Sequence, residues 1–153
     1  MKKQLTVLFA LIAANFFIYS SCNKSDYTPP TPKTKTQLLT QGSWKFKGAT
    51  ANGGDASGYL SACQKDNIYT FVAGGTGTAN EGATTCNPGD PQSTPLTWSF
   101  MTNETILHIN TALFTNTSND FTLMSLSETE LVVSTTYTPI GGPAILVTIT
   151  FQH

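Results

Sequence analysis

The chain has 153 residues with eight lysines, no arginine and nine carboxylates, for a formal charge of −1. Without a guanidinium it lacks the group best suited to bidentate recognition of phosphates and base edges, and the mildly acidic balance also argues against a nucleic-acid partner. Two histidines and three cysteines leave little material for a metal centre.

In chain order, Lys2 and Lys3 come first, followed by an apolar run from Leu5 to Tyr19 broken only by Thr6 and Asn15, and then Ser20, Ser21 and Cys22. A charged head, an apolar core and small residues before a cut site are the parts of a secretory signal. The run falls short of the roughly 20 apolar residues that a spanning helix needs. Tyr19-Ser20-Ser21-Cys22 resembles the bacterial lipobox, in which cleavage falls before a cysteine whose thiol carries a diacylglyceryl group. Residues 1–21 are therefore expected to be a signal that is removed. Cys22 is expected to be lipidated and to anchor the chain to the outer membrane of a cell envelope, with the periplasmic or surface face left open. Acyl chains worth roughly 0.8 kcal/mol per buried methylene make such anchorage effectively permanent.

Loss of the signal leaves six lysines against nine carboxylates, a formal charge of −3. Lipidation of Cys22 also resolves the odd cysteine count, because Cys63 and Cys86 then remain to pair in an oxidising compartment. The loop they close is worth about 3–4 kcal/mol in the chain-entropy model. From Asn23 to Lys35 the chain reads as a tether, with three prolines and no apolar periodicity. Domain material occupies 36–153, enough for one domain.

Thr36 to Thr40, before Gly42, suggests a helical turn. Beyond it the apolar period is two. Trp44 to Lys47, Ile68 to Val72, Leu96 to Phe100, Thr105 to Asn110, Phe121 to Leu126, Leu131 to Tyr137 and Ile145 to Phe151 predict seven strands, with an eighth within Tyr59–Ala62 or Gly77–Ala83. The separators are turn chemistry: Asn52 to Asp55, Gly74 to Gly77, Thr102 to Glu104, Asn116 to Asn119, Ser127-Glu128 and Pro139 to Pro143. Sequential hairpins predict an all-β antiparallel meander of seven to eight strands, and closure into a small up-and-down barrel hides its edges best. The rival is a β-sandwich of the immunoglobulin kind. True members place a Trp between their two cysteines, whereas here Trp44 precedes and Trp98 follows both.

Catalytic chemistry finds little support. Gly74-Gly75-Thr76-Gly77 opens no helix and reads as a turn, not as a phosphate loop. His108, the only internal histidine, shares a strand face with Ile106 and Asn110, opposite Leu107 and Ile109, and reads as a polar residue facing solvent or the lumen. Carboxylate pairs would have to come from residues at turns, such as Asp55, Asp90 and Glu104, where acids are ordinarily solvated or accept from local backbone. Asp66 reads as one such turn acceptor. No catalytic residue, metal or cofactor is expected. The aromatics recur at strand spacing and read mainly as core. Tyr69, Phe71, Trp98 and Phe100 are the candidates to line a ligand pocket at a barrel mouth.

Leu38-Leu39-Thr40-Gln41-Gly42-Ser43-Trp44 resembles the opening of the lipocalin-like domains found in many lipoproteins of Bacteroidetes, with a helical turn and then Gly-x-Trp on the first strand. The resemblance continues through Cys63-Gln64-Lys65-Asp66-Asn67, Tyr69-Thr70-Phe71, Cys86, Trp98-Ser99-Phe100 and Leu126 to Val133, and so covers most of 36–153. It implies a barrel whose closed end is plugged by Trp44 and whose role is non-catalytic binding of a small hydrophobic or glycan ligand. Lipocalins stack a late arginine over that Trp, and this chain has none. The alternative is a structural or interaction protein with a solid barrel whose rim loops, such as Gly82 to Pro95, contact another envelope protein. A monomer is expected in either case. An apolar cavity above about 300 Å³ opening beside Trp98 or Tyr69 separates the two readings.

Overall fold

The computed structural model describes residues 30–153. The signal segment, Cys22 and the tether up to residue 29 lie outside the described residues. The folded unit spans Lys33–His153. It opens with a short helix α1 (Lys35–Leu39), in which Thr34 accepts from the Gln37 N–H while the Gln37 side chain accepts from the Thr34 N–H. This reciprocal capping box satisfies two donors that a five-residue helix would otherwise leave open.

Nine strands follow: β1 (Ser43–Ala51), β2 (Gly54–Asp55), β3 (Ile68–Val72), β4 (Thr76–Asn80), β5 (Ser93–Met101), β6 (Ile106–Ile109), β7 (Asp120–Leu126), β8 (Glu130–Tyr137) and β9 (Ile145–Gln152). Every neighbouring pair is antiparallel, and β1 also pairs with β9. Eight strands thus close into a ring, with the two-residue β2 as a hairpin arm on β1. Closure removes the open edges that favour barrel over sandwich.

All seven strands predicted from alternation are present. The eighth is β4, because Tyr59 to Ala62 instead joins a 3-10 turn (Ser57–Tyr59) to a second short helix, α2 (Ala62–Lys65). The expected turn at Gly74 to Gly77 is shorter than its glycines suggest, since Thr76 and Gly77 already belong to β4. Gly77 is needed for close approach, because a Cβ there would sit 2.3 Å from the Thr70 carbonyl oxygen. Asn52-Gly53, both at positive φ, make the two-residue turn between β1 and β2.

Alternation places Leu107 and Ile109 of β6, Leu131 and Val133 of β8, and Val147, Ile149 and Phe151 of β9 inside, all buried. Irregular register between Phe46 and Gly48 in β1 and between Leu123 and Ser125 in β7 bends those strands around the ring. At one end lie α1 and the tight turns after β3, β5 and β7. There the Lys35 ammonium donates to the Glu104 carbonyl (2.7 Å) and the Gln41 amide to that of Glu128 (2.7 Å). The long connections, residues 56–67, 81–92, 110–119 and 138–144, gather at the other end.

Candidate functional site

In a barrel of this size the interior and its mouth are where a ligand would sit. Tyr69 and Phe71 of β3 point inward and are buried, as is Trp98 of β5, while Phe100 is half-buried. These four do not line an open chamber. The Trp98 ring meets Phe71 (centroids 6.0 Å) and Phe100 (5.5 Å) edge to face, and its indole N–H donates to the Val72 and Thr76 carbonyls. It stitches the β3–β4 turn to β5. The apolar void at the centre, lined by Trp44, Tyr69, Leu113, Phe121 and Phe151 among others, measures about 10 Å³. A single water needs at least about that much, and a drug-sized ligand needs hundreds of Å³. The chamber above about 300 Å³ required for an enclosed ligand is therefore not found among the described residues.

Two residues from the 110–119 connection explain the filling. Leu113 and Phe114 turn down into the mouth and are buried, with the Phe114 ring against Phe46 (5.9 Å) and Phe151 (6.1 Å). The Tyr69 hydroxyl donates to the Leu113 carbonyl (2.8 Å), and the Gln64 side chain accepts the Thr115 N–H (3.1 Å). Burial pushes the Tyr69 phenol well above its ordinary range, so the hydroxyl remains a donor at physiological pH. Nothing in Thr111-Ala112-Leu113-Phe114-Thr115 alternates in a way that marks Leu113 and Phe114 as core. A short apolar pair inside a polar loop is the only sequence signal they leave.

At the opposite end Trp44 is fully buried, and its indole N–H donates to the Leu39 carbonyl (2.8 Å). The place where lipocalins stack an arginine is taken by the imidazole of His153, at a centroid distance of 3.9 Å. The same ring meets the Ser43 carbonyl through Nδ1 (2.9 Å) and the Gln41 amide through Nε2 (3.1 Å). With Ser43 accepting and Gln41 donating, the bonds select the neutral tautomer with its proton on Nδ1.

Cys63 and Cys86 form a disulfide, with Cα atoms 5.2 Å apart, joining α2 to the 81–92 connection. Around it, Asp66 accepts the N–H groups of Ala83 and Thr84, and Glu81 accepts that of Cys86. Buried Asn67 donates to the Cys63 and Glu81 carbonyls once its amide is oriented to suit them. Asp66 is thus an acceptor for a loop distant in sequence and not for its own turn.

Acyl-transfer chemistry has one superficial match. Ser99, His108 and Asp120 stand in register across β5, β6 and β7, with His108 Nδ1 2.6 Å from Asp120. They lie on the outer face of the barrel, with Ser99 and Asp120 exposed, and Ser99 makes no hydrogen bond to His108. A nucleophile needs its base within hydrogen-bond reach, so the row reads as an exposed pair next to a serine. Among the described residues no three His, Cys, Asp or Glu side chains come together to hold a metal.

No curated protein matches the chain significantly. A family model described as a lipocalin-like domain matches residues 40–133. That span is more than half the chain and runs from the Gly42-Ser43-Trp44 opening into β8, taking in the plugged end, the disulfide and the loop that fills the mouth. The chain belongs to the lipocalin-like domain family.

Proposed function

We propose that this protein is an envelope lipoprotein held to the outer membrane by lipidated Cys22, and that its barrel is a solid, non-catalytic scaffold working by contact through its outer wall and rim loops. The observation that carries this reading is the filled interior: a void of about 10 Å³ beneath Leu113 and Phe114. Family membership alone is compatible with small-molecule binding as well as with a structural role, and the packing favours the second. Signal-like residues before Cys22, and an odd cysteine count that lipidation resolves, support the anchor.

Native mass spectrometry of the full chain purified from its own host tests the scaffold. The expected result is the mass of the lipidated chain with nothing further bound. A stoichiometric small molecule that survives buffer exchange and is lost on unfolding overturns the filled-barrel reading. Cys22→Ala is expected to move the protein from the membrane to the soluble extracellular or periplasmic fraction. Persistent membrane association of that variant overturns the anchor.

A further inference from the structure

β1 and β3 pair only from Ser43 to Lys45 against Ile68 to Thr70. Past Lys45, β1 bends through its irregular register toward β9, while the chain before β3 turns back into α2. The two strands part, and a recess of about 550 Å³ opens in the outer wall between them. Half-buried Phe46 and Ile68 supply its apolar part, and Lys45, Lys65, Asp66 and Gln152 its polar groups. This volume lies within the usual range of ligand sites, and the recess shares no lining residue with the small void at the barrel centre.

The recess is rigid on its loop side. The Cys63–Cys86 bridge and the two backbone bonds to Asp66 fix residues 82–84 against α2. Gly82 sits at φ +66°, and a Cβ there would fall 2.2 Å from the Asp66 carbonyl oxygen. Its polar groups are largely unspent. Among the described residues the Lys45 ammonium and the Gln152 amide make no hydrogen bond, and the Asn80 amide nitrogen also has none. Lys33 and Lys47 are paired with Glu128 and Glu130. Among the described residues Lys45 makes no ion pair, and Lys65 reaches only the Ser57 carbonyl (3.1 Å). The acids nearby are Asp55, Asp66, Glu81 and Glu130: Asp66 accepts two N–H groups through Oδ2 while its Oδ1 is buried with no partner among the described residues, Glu81 accepts the Cys86 N–H, and Glu130 pairs with Lys47.

Two ammoniums with no ion-pair partner among the described residues, spare amide donors and a half-buried phenylalanine form a complement to a ring that has an apolar face, hydroxyls and a carboxylate. We propose that the recess between β1 and β3 is a binding site for a carboxylated pyranose, free or as a unit of an acidic polysaccharide. The proposal rests on the reading that the outer wall, not the lumen, is the working surface. The part of Phe46 that is not packed on Phe114 and the core offers an apolar edge, the lysines meet the carboxylate, and Asn80 and Gln152 meet hydroxyls.

The test is a two-dimensional amide NMR titration of the full exported chain carrying Cys22→Ala, using galacturonic acid, its linear tetramer and a neutral galactose tetramer. The acidic sugars are expected to shift amides near Lys45-Phe46, Lys65 to Ile68, Asn80 to Ala83 and Gln152, more weakly as salt rises. The paired change Lys45→Ala with Lys65→Ala is expected to weaken binding by about tenfold or more, while Lys47→Ala leaves it unchanged. A stronger response to the tetramer than to the monomer identifies a polysaccharide unit as the source. No shift with either acidic sugar, equal binding by the neutral tetramer, or equal loss with Lys47→Ala overturns the proposal. Should the double variant not fold, Phe46→Leu, which removes the ring but keeps an apolar side chain, serves instead, and unchanged affinity there overturns it. Shifts centred on Phe114, Phe121 and Phe151 would instead mean lumenal binding, overturning both this site and the solid-scaffold reading.

Discussion

Trp44 is enclosed from two sides, by the Leu39 carbonyl that takes its N–H and by the His153 ring over its face. The histidine does with stacking and two neutral hydrogen bonds what a guanidinium does with charge. Aromatic pairs contribute about 0.5–1.5 kcal/mol beyond area burial, and His153→Ala should cost about that much, read by urea denaturation with indole fluorescence as the probe. Tyr69 carries the clearest pH signature. Its phenol is raised above the ordinary 10.0, first by burial. A group raised in the folded state contributes stability that is whole below its unfolded value and is lost as pH climbs past it. The barrel should therefore weaken above about pH 10. Absorbance at 295 nm should show Tyr69 ionising only as the fold opens, a component missing from Tyr69→Phe. Exposed Glu128 works in the opposite direction. The hydrogen bond and charge of Lys33 lower its carboxyl, so that contribution is present at neutral pH and is lost as pH falls below the usual carboxylate range.

Among the elements, seven strands were legible because they repeat their apolar residues with period two, as Leu107 and Ile109 do around His108, whereas β4, Thr-Gly-Thr-Ala-Asn, carries no such repeat and could be placed only between two segments. Cys63 and Cys86 were legible by parity once Cys22 was set aside. The 110–119 loop was not, because Leu113 and Phe114 are adjacent and belong to no strand. Their burial follows from the ring closing beneath them, a long-range consequence that no local pattern encodes. The position of His153 over Trp44, 109 residues away in sequence, is hidden for the same reason. Phe114→Ala should therefore behave as a core truncation despite its loop position, costing about 3–5 kcal/mol in chemical denaturation. A cost below about 1 kcal/mol would show that the mouth does not depend on it. The disulfide spans 23 residues, and replacing both cysteines by serine should cost about 3–4 kcal/mol, measured as a lower midpoint in thermal unfolding. The bonds of Asp66 and Asn67 should keep the two loops docked in that variant, so amide exchange at Ala83 and Thr84 should rise less than the global loss implies.

For the whole molecule, the barrel was legible and its solidity was not. Strand count and the Gly-x-Trp opening point to a lipocalin-like ring, and that same ring can enclose a chamber or be filled. Eight strands leave an interior that side chains can just fill or that can hold one small ligand. Here Phe114, Phe121 and Phe151 settle it by occupying the volume. What the ring offers its surroundings is then its outside: a face poor in charge, a recess between β1 and β3, and loops held by a covalent bridge.

The placement of α1 also has a mechanical side. If the anchor proposed above holds, a pull on it enters the folded unit at Lys33, whose partners Gln41 and Glu128 lie at the plugged end. It then passes through a capped helix into β1, which is hydrogen-bonded to β3 on one side and to β9 on the other. Load directed along a strand clamped on both edges is shared by many hydrogen bonds at once and cannot open them singly. The chain thus enters the barrel at the strand that closes the ring, held to β9 over Lys45 to Thr50 and to β3 only over Ser43 to Lys45, so load arriving there would fall mainly on the β1–β9 ladder.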